Sequence, residues 1–348
     1  MRAIVVAISL VSVGLLPAAG QIHRNPARNA QVEPVNPGSE TDNSWPDVHV
    51  KIVLLNDSLK SNGKLNISAF QLFENGVAQQ IRTVSGMDSP ISVGLLIDGS
   101  GSTLPDRARF EDAAMDIIKG LPDGSEVMAA WFAGKANIDL RFVPASEVDF
   151  SSIERSTMTG GTAILDALID TEIYIAANAH NERRALVLLS DGGENSSKHG
   201  VQDAMRLFQS PDAPQLFTFD IADPNDAYRD REALIMTSLA EGGGGIAVLP
   251  ERDRDTPAPE STEKTVATVR RKARDTAPAP FADLDIEAAA AKLSALLRRQ
   301  YVLTYTTTDP KRDGTLRKLE VKLPEQLSNF KIYTLAGYYA QLEKRAPH

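Results

Sequence analysis

The sequence contains no cysteine among its 348 residues. It can therefore form no disulfide bond, no thiolate metal site and no cysteine nucleophile, and it offers no cysteine for an amino-terminal lipid anchor. Histidine is scarce as well, with five residues, and none of them shows the paired spacing of a histidine-based metal or catalytic site. Metal binding by cysteine thiolates is excluded, and binding by histidine is not expected.

Positive charge is in the minority. The chain has 37 Lys and Arg against 46 Asp and Glu, a formal net charge of −9, and no basic stripe. Nucleic acid is thus not an expected partner, because its phosphates demand a basic face. Two enzyme motifs are also missing: no serine has the glycine spacing of a nucleophile elbow, and the glycine run at 242–245 lacks the Lys-Ser/Thr pair of a phosphate-binding loop. We expect that run to be a flexible turn after a helix, and we expect no enzyme activity.

The amino terminus has the three-part pattern of a secretory signal peptide over residues 1–20. A short positive start is followed by an apolar run at 3–16 and by small residues before Gln21. The alternative is a membrane anchor, but the run is too short and has no positive flank after it. We therefore expect export to the periplasm or beyond, with no transmembrane segment in the mature chain. Residues 21–47, rich in Asn, Pro and Gln without apolar periodicity, predict a disordered leader.

Strand and helix patterns alternate across residues 89–250, the expected first part of an α/β domain. Near-continuous apolar runs, typical of parallel strands covered on both faces, occur at 91–97, 127–132, 185–189, 215–221 and 245–249. Helical patterns occur at 106–119, 163–177, 201–208, 228–240 and 286–300. An alternating run at 138–143 is typical of an edge strand. The order predicts an α/β fold with a Rossmann-like, doubly wound, mostly parallel sheet.

Strand patterns also flank this domain. Residues 48–88 contain an alternating run and the hairpin signal Asn75-Gly76, and residues 301–342 contain further β patterns. We expect the two flanks to form one small β-domain around the α/β domain. Residues 251–281 predict a disordered insert before the last helix at 282–300. The basic cluster at 270–274 could bind an acidic surface, but the acidic residues close to it favour a solvated linker.

Oxygen-bearing side chains lie in three loops that are predicted to follow strands. Asp98, Ser100 and Ser102 come after the first apolar run, Thr162 precedes a helix, and Asp191 ends another run in the same position as Asp98. In an open parallel sheet, ligands bind at the carboxyl ends of strands near the point where strand order reverses. Carboxylates and hydroxyls converging there make an oxygen-only site, which suits a hard cation such as Mg2+.

The Asp98-x-Ser100-x-Ser102 motif with Thr162 and Asp191 resembles the metal-ion-dependent adhesion site of von Willebrand factor A (VWA) domains. The resemblance covers about residues 90–250 and the last helix. It implies that Ser100 and Ser102 bind the metal directly, Thr162 directly or through water, and the two aspartates through water. It also implies Mg2+ (or Mn2+ or Ca2+) as cofactor and a protein partner that presents an Asp or Glu carboxylate.

The flanks are similar to those of VWA-related proteins of Acidobacteria. The similarity lies in the FQLFENGVAQQI hairpin at 70–81, the RRQYVLTY segment at 298–305 and the GYYA segment at 337–340. Such a protein is expected to be an exported binding module for adhesion or protein–protein interaction.

These residues allow other interpretations. The metal could only stabilise a structural or envelope-assembly protein, or Asp98 could be the nucleophile of a Mg-dependent hydrolase. The hydrolase needs a general acid and a cationic clamp, for which only Arg107 and Arg109 are near in sequence. Asp220 and Asp223 could add charge to the rim of the site, although a helix cap and turn is the favoured interpretation. The aromatic side chains could form a recognition patch, although a place in the β-strand core is favoured.

Overall fold

The computed structural model describes residues 45–55, 65–87, 89–103, 107–152, 160–220, 229–249 and 286–342. The predicted signal peptide, nearly all of the leader and the insert at 251–281 lie outside these residues. No helix in the described ranges has both the length and the apolar character needed to cross a membrane.

The described elements follow each other along the chain as strands, then mixed strands and helices, then strands. The strands are β1 (Asp47–Leu55), β2 (Gln71–Glu74), β3 (Val77–Gln79), β4 (Ile81–Ser85), β5 (Ile91–Asp98), β6 (Glu126–Phe132), β7 (Ala136–Pro144), β8 (Arg183–Ser190), β9 (Gln215–Asp220), β10 (Gly244–Val248), β11 (Gln300–Thr306), β12 (Leu316–Lys322), β13 (Lys331–Thr334) and β14 (Gly337–Tyr339). The helices are α1 (Arg107–Lys119), α2 (Ile164–Asn178), α3 (Val201–Phe208), α4 (Arg229–Gly242) and α5 (Ile286–Arg298).

The central sheet has the order β10-β9-β8-β5-β6-β7. All neighbouring pairs are parallel except β6 and β7, so β7 is an antiparallel edge strand. Helices α1 and α5 share one hydrophobic cluster with the sheet, and α2, α3 and α4 share another on the opposite face. Every residue of β5 is buried, because helices cover both of its faces. The predicted doubly wound α/β fold is confirmed.

Strand order reverses between β5 and β8. The chain runs outward from β5 through β6 to β7, returns to β8, and then runs outward the other way through β9 to β10. The loops that follow β5 and β8 therefore start side by side at the carboxyl edge of the sheet. This is the topological switch point, the place where open α/β sheets bind ligands.

The flanking strands form a small β-domain, as predicted. Its two sheets have the orders β13-β1-β11-β4 and β14-β12-β2-β3, and strand β1 before the α/β domain pairs antiparallel with β11 after it. The two sheets share one hydrophobic cluster. The predicted hairpin joins β2 and β3, with Asn75 at φ 48° and Gly76 at φ 81°, a conformation that Asn-Gly adopts readily.

The glycine run forms a shorter turn than predicted. Gly242 is the last residue of α4, and Gly244 is already the first residue of β10. A Cβ on Gly245 would lie 2.0 Å from the carbonyl oxygen of Leu216, so close pairing with β9 requires a glycine there. The aromatic residues Trp131, Tyr301 and Tyr338 are buried in the hydrophobic clusters, consistent with a core role.

The β-domain contacts the amino ends of the parallel strands. The ammonium of Lys51 in β1 donates to the carbonyl oxygen of Pro211, in the loop before β9, at 2.7 Å. The Gln300 side chain of β11 donates to the Gln215 side chain, at the start of β9, over 3.0 Å. The carboxyl ends, with the switch point, lie at the opposite edge of the sheet from this interface.

Candidate metal-binding site

Asp98 is the last residue of β5, and its side chain is almost completely buried. Its Oδ1 accepts a hydrogen bond from the backbone N–H of Ser100 at 2.9 Å. Its Oδ2 accepts one from the hydroxyl of Ser190 at 2.6 Å. Ser190 is the neighbouring end residue of β8, and its Oγ also accepts from the N–H of Gly192 at 3.0 Å. The carboxylate is thus held from both loops of the switch point.

Three further oxygens line up beside Asp98. The Oγ atoms of Ser100 and Ser102 lie 3.2 Å apart, and the Ser102 hydroxyl donates to Oδ2 of Asp191 over 2.9 Å. Ser100 is buried, whereas Ser102 is exposed and Asp191 is half-buried. The structure therefore brings four of the five predicted residues into one hydrogen-bonded chain that ends at the surface.

Thr162 enters from a third loop. It is buried just before α2, and its N–H donates to the Asn195 side chain at 2.9 Å. Across the described part of the chain, no hydrogen bond joins the Thr162 hydroxyl to the other four residues.

The Thr162 loop and the Asp98 loop are nevertheless anchored to one strand end. Gly99 N–H donates to the carbonyl of Phe132 at 2.7 Å, and Ala163 N–H donates to the next carbonyl, that of Ala133, at 2.8 Å. Both loops are therefore fixed at the carboxyl end of β6, and Thr162 approaches the same edge of the sheet as Asp98.

Among the residues that the structure describes, no salt bridge involves Asp98 or Asp191. Burial raises the pKa of Asp98 from 3.8 to about 6, the hydrogen bonds from Ser190 and Ser100 act in the opposite direction, and the negative charge of Asp191 adds to the rise. A buried carboxylate beside a second carboxylate is costly unless a cation compensates it. This electrostatic environment favours a bound cation.

The donor set fits a small hard cation. At metal–oxygen distances of about 2.1 Å, adjacent ligands of an octahedral Mg2+ lie about 3.0 Å apart. The Oγ atoms of Ser100 and Ser102, 3.2 Å apart, have this spacing, and the Ser102 hydroxyl donates to Asp191 behind them. The described residues contain no group of three or more His, Cys, Asp or Glu placed to hold a metal ion. A site here would combine two carboxylates with neutral hydroxyls.

Sequence reasoning missed residues that support the site from behind. Ser190 holds the Asp98 carboxylate, and Asn195 holds the backbone of Thr162. Glu194 contacts the start of α2, where its Oε2 accepts from Leu165 N–H at 3.1 Å. The only signal for Ser190 was its place before Asp191 at the end of a strand, and nothing in the local pattern pointed to Asn195.

Asp220 lies next to this region but inside the sheet. It is the last residue of β9, is fully buried, and stands in register with Ser190. The rest of the segment considered for a rim or a helix cap, 221–223, lies outside the described residues.

Comparison with known proteins gives similarities of structure only. No family model matches the chain, and no curated protein is similar to it. Similar solved structures include the conserved hypothetical protein BatB from Bacteroides thetaiotaomicron, with 19% identity over 53% of this chain and 100% of that chain and a TM-score of 0.34. The ArnB paralog VWA2 from Sulfolobus acidocaldarius has 12% identity over 84% and 76%, with a TM-score of 0.39. A von Willebrand factor type A protein from Catenulispora acidiphila has 14% identity over 85% and 74%, with a TM-score of 0.38. Values this low do not establish a family, and the fold assignment rests on the strand order given above.

Proposed function

We propose that this chain is a VWA-type binding module that captures a carboxylate of a protein partner through a divalent cation, with Mg2+ as the first candidate. Ser100, Ser102 and Thr162 would supply neutral oxygens, and Asp98 and Asp191 the compensating charge. The observation that carries the proposal is the Ser102 hydroxyl, which contacts both Ser100 Oγ and Asp191 Oδ2 at the switch point.

The charges explain why such a site would bind a partner. Two carboxylates balance one divalent ion, and neutral hydroxyl ligands leave the ion able to attract a further anionic oxygen. Asp98 is buried behind the site, whereas Ser102 is exposed. A carboxylate on another protein can therefore approach from the solvent side.

We propose binding and not catalysis. The hydrolase alternative needs an acid and a cationic clamp at Asp98. Each described histidine is instead hydrogen-bonded to a carboxylate outside the five-residue site, in the pairs His49–Asp212, His180–Glu126 and His199–Asp166. Arg107 is paired with Glu111 on its own helix at 3.2 Å.

Thermal unfolding of the chain from Gln21 onward, with Mg2+ or Mn2+ and with EDTA, tests the metal site. A ligand of the folded state at 100 times its Kd stabilises that state by about 2.7 kcal/mol, so the melting temperature should rise. Asp98→Ala should abolish the rise. The matched control is Asp116→Ala, which removes an aspartate from α1 that pairs with Lys119 and should keep the rise. A wild-type melting temperature that changes with neither metal contradicts the proposal.

Partner capture needs a separate test, because a cation that only stabilises the fold would pass the first one. Proteins retained on immobilised wild-type chain in Mg2+ are compared with those retained in EDTA and on the Ser102→Ala variant. We expect a partner that is retained in Mg2+ but not in EDTA and not on the variant. Free acidic peptides should compete with this partner for the wild-type chain. A partner held equally in all three conditions argues against recognition through the metal.

Export is part of the proposal and is tested independently. Expression of the full chain in a Gram-negative host should give a product outside the cytoplasm that begins near Gln21. A product in the cytoplasm that keeps residues 1–20 contradicts the proposed signal peptide.

A further inference from the structure

The segment 194–199, which follows the Asp191 loop, is folded onto the start of α2. The N-cap residue of this helix, Ala163, has no side chain that could cap it. Glu194 Oε2 and Ser197 Oγ instead accept from the N–H of Leu165, at 3.1 and 3.0 Å, and Ser197 Oγ also accepts from Asp166 N–H at 3.3 Å. The first-turn N–H groups of α2, which need partners from outside the helix, thus find them on another loop.

Thr162 is held by the same segment at two points. Its N–H donates to Asn195 Oδ1 at 2.9 Å, and its carbonyl oxygen accepts from Asn195 N–H at 3.0 Å. The N–H of Ser196 reaches the same carbonyl at 3.1 Å. The fit is tight, because a Cβ on Gly161 would lie 2.3 Å from Asn195 Oδ1 and 2.0 Å from Ser196 Oγ.

The segment is tied to Asp191 at its other end. Gly193 N–H donates to Asp191 Oδ1 at 3.0 Å, and Glu194 N–H donates to the carbonyl of Gly192 at 2.9 Å. Gly192 itself has φ of +83° and packs against Glu232 of α4, so a larger residue is not accommodated there. A short, fully hydrogen-bonded path therefore connects Asp191 to Thr162.

We propose that Asn195 is a positioning residue that fixes Thr162 relative to Asp191 and so determines how tightly the cation is held. The inference rests on the proposed metal site. No hydrogen bond from the other four residues holds the Thr162 hydroxyl in the described structure. The position of that hydroxyl therefore depends on the Thr162 backbone. Asn195 binds both the N–H and the carbonyl oxygen of this backbone.

Mn2+ binding by the chain from Gln21 onward, measured by calorimetry and by electron paramagnetic resonance of free Mn2+, tests the inference. Loss of a group that orients a metal ligand typically weakens metal affinity about 10- to 100-fold, so Asn195→Ala should raise the Kd by at least about tenfold. Asn195→Asp keeps an acceptor oxygen for Thr162 N–H and should bind more tightly than Asn195→Ala. Gly161→Ala, which displaces the Asn195 amide from the opposite side, should weaken binding without altering Asn195 itself.

The matched control is Asn178→Ala at the other end of α2. Asn178 is exposed and its amide donates to a backbone carbonyl, that of Tyr174 at 2.8 Å, so its removal perturbs the same helix away from the site. It should leave the Kd at the wild-type value. In EDTA, amide hydrogen exchange at Thr162 and Leu165 should be faster in Asn195→Ala than in wild type, and unchanged in Asn178→Ala.

The possible results separate the two proposals. Wild type that binds no Mn2+ overturns the metal site and this inference together. Wild type that binds Mn2+ while a folded Asn195→Ala binds equally well overturns the positioning role alone. Equal weakening in Asn195→Ala and Asn178→Ala also overturns it, because the effect would then come from general loosening of α2.

Discussion

A buried carboxylate in the β-domain and another at the carboxyl edge of the α/β sheet have very different surroundings. In the β-domain, Glu74 accepts hydrogen bonds from the hydroxyls of Tyr305, Tyr338 and Thr307, the last two at 2.8 and 2.7 Å. The buried guanidinium of Arg317 lies 4.0 Å away and pairs more closely with Asp309 and Asp313. This carboxylate is thus satisfied by neutral donors, and a cation of its own chain lies nearby.

Asp98 has no such nearby cation among the described residues of its loops. Its contacts are a serine hydroxyl, a backbone N–H and the nearby negative charge of Asp191, and its pKa is raised to about 6 mainly by burial. A buried charge without a counter-charge destabilises the fold unless something neutralises it. The comparison indicates that Glu74 stabilises structure, whereas Asp98 is arranged for a charge that arrives from outside.

The largest expected effect is at Glu74. Glu74→Ala removes the acceptor that the buried hydroxyls of Tyr305 and Tyr338 share, and a buried polar group left without a partner costs about 1–3 kcal/mol. The free energy of unfolding in urea should therefore fall by about 2–6 kcal/mol for the two hydroxyls together. The loss should be the same in Mg2+ and in EDTA, since the groups that lose a partner belong to the chain and are not metal ligands.

Glu320→Ala is the matched control in the same sheet. Its partly exposed pair with Lys322, at 3.2 Å, should contribute no more than about 1 kcal/mol. A Glu74→Ala loss that matches this small value, or one that Mg2+ restores, would contradict the contrast between the two regions.

A third buried carboxylate, Glu172 on α2, is a case in which nearby positive charges offset the effect of burial only in part. Burial raises its pKa from 4.5 to about 7, and the charges of Lys51 and Arg184 oppose the rise. Between these two values the folded state binds more protons than the unfolded state. The free energy of unfolding should therefore fall as the pH rises from about 4.5 to 7 and level off above pH 7.

Glu172→Gln should remove this component of the pH dependence. Relative to wild type, the variant should gain about 2–3 kcal/mol of stability between pH 5 and pH 8, as one pKa unit corresponds to about 1.4 kcal/mol. Urea unfolding at several pH values in EDTA measures the gain, with Glu320→Gln as the exposed control. Parallel pH profiles for wild type and Glu172→Gln would show that Glu172 is not buried as described.

The contrast between the two regions also shows which features can be predicted from the sequence. The fold followed from the apolar runs, because a strand covered on both faces leaves a continuous local pattern, as in β5. The grouping of Asp98 with Asp191 followed from the general rule that parallel strands present their carboxyl ends at one edge. Hydrogen bonds connect these two aspartates through Ser100, whose N–H donates to Asp98, and through Ser102, which contacts Ser100 Oγ and Asp191 Oδ2.

Contacts between distant segments left no such pattern. Asn195 grips Thr162 from 33 positions along the chain. Arg183 precedes an apolar run in the sequence. Its guanidinium is nevertheless buried against the end of α5, where it donates to the carbonyl oxygen of Leu297, 114 positions away. The division of the β-domain into two sheets, and its place at the amino ends of the parallel strands, likewise depend on long-range pairing that no local periodicity encodes.

The smallest expected effect compares one hydroxyl from each region. Ser190→Ala removes the donor to Asp98 Oδ2 and the acceptor for Gly192 N–H, and should cost about 1–2 kcal/mol in EDTA because buried polar groups lose partners. Thr307→Val also removes a donor and an acceptor, those for Glu74 and for Asp309 N–H, but Glu74 keeps both tyrosine hydroxyls and Asp309 is only half-buried. Its cost should therefore be smaller, about 1 kcal/mol or less. Urea unfolding of both variants in EDTA ranks them directly. If Thr307→Val loses more stability than Ser190→Ala, then Asp98 is no less compensated than Glu74, and the electrostatic argument for a cation at the carboxyl edge fails.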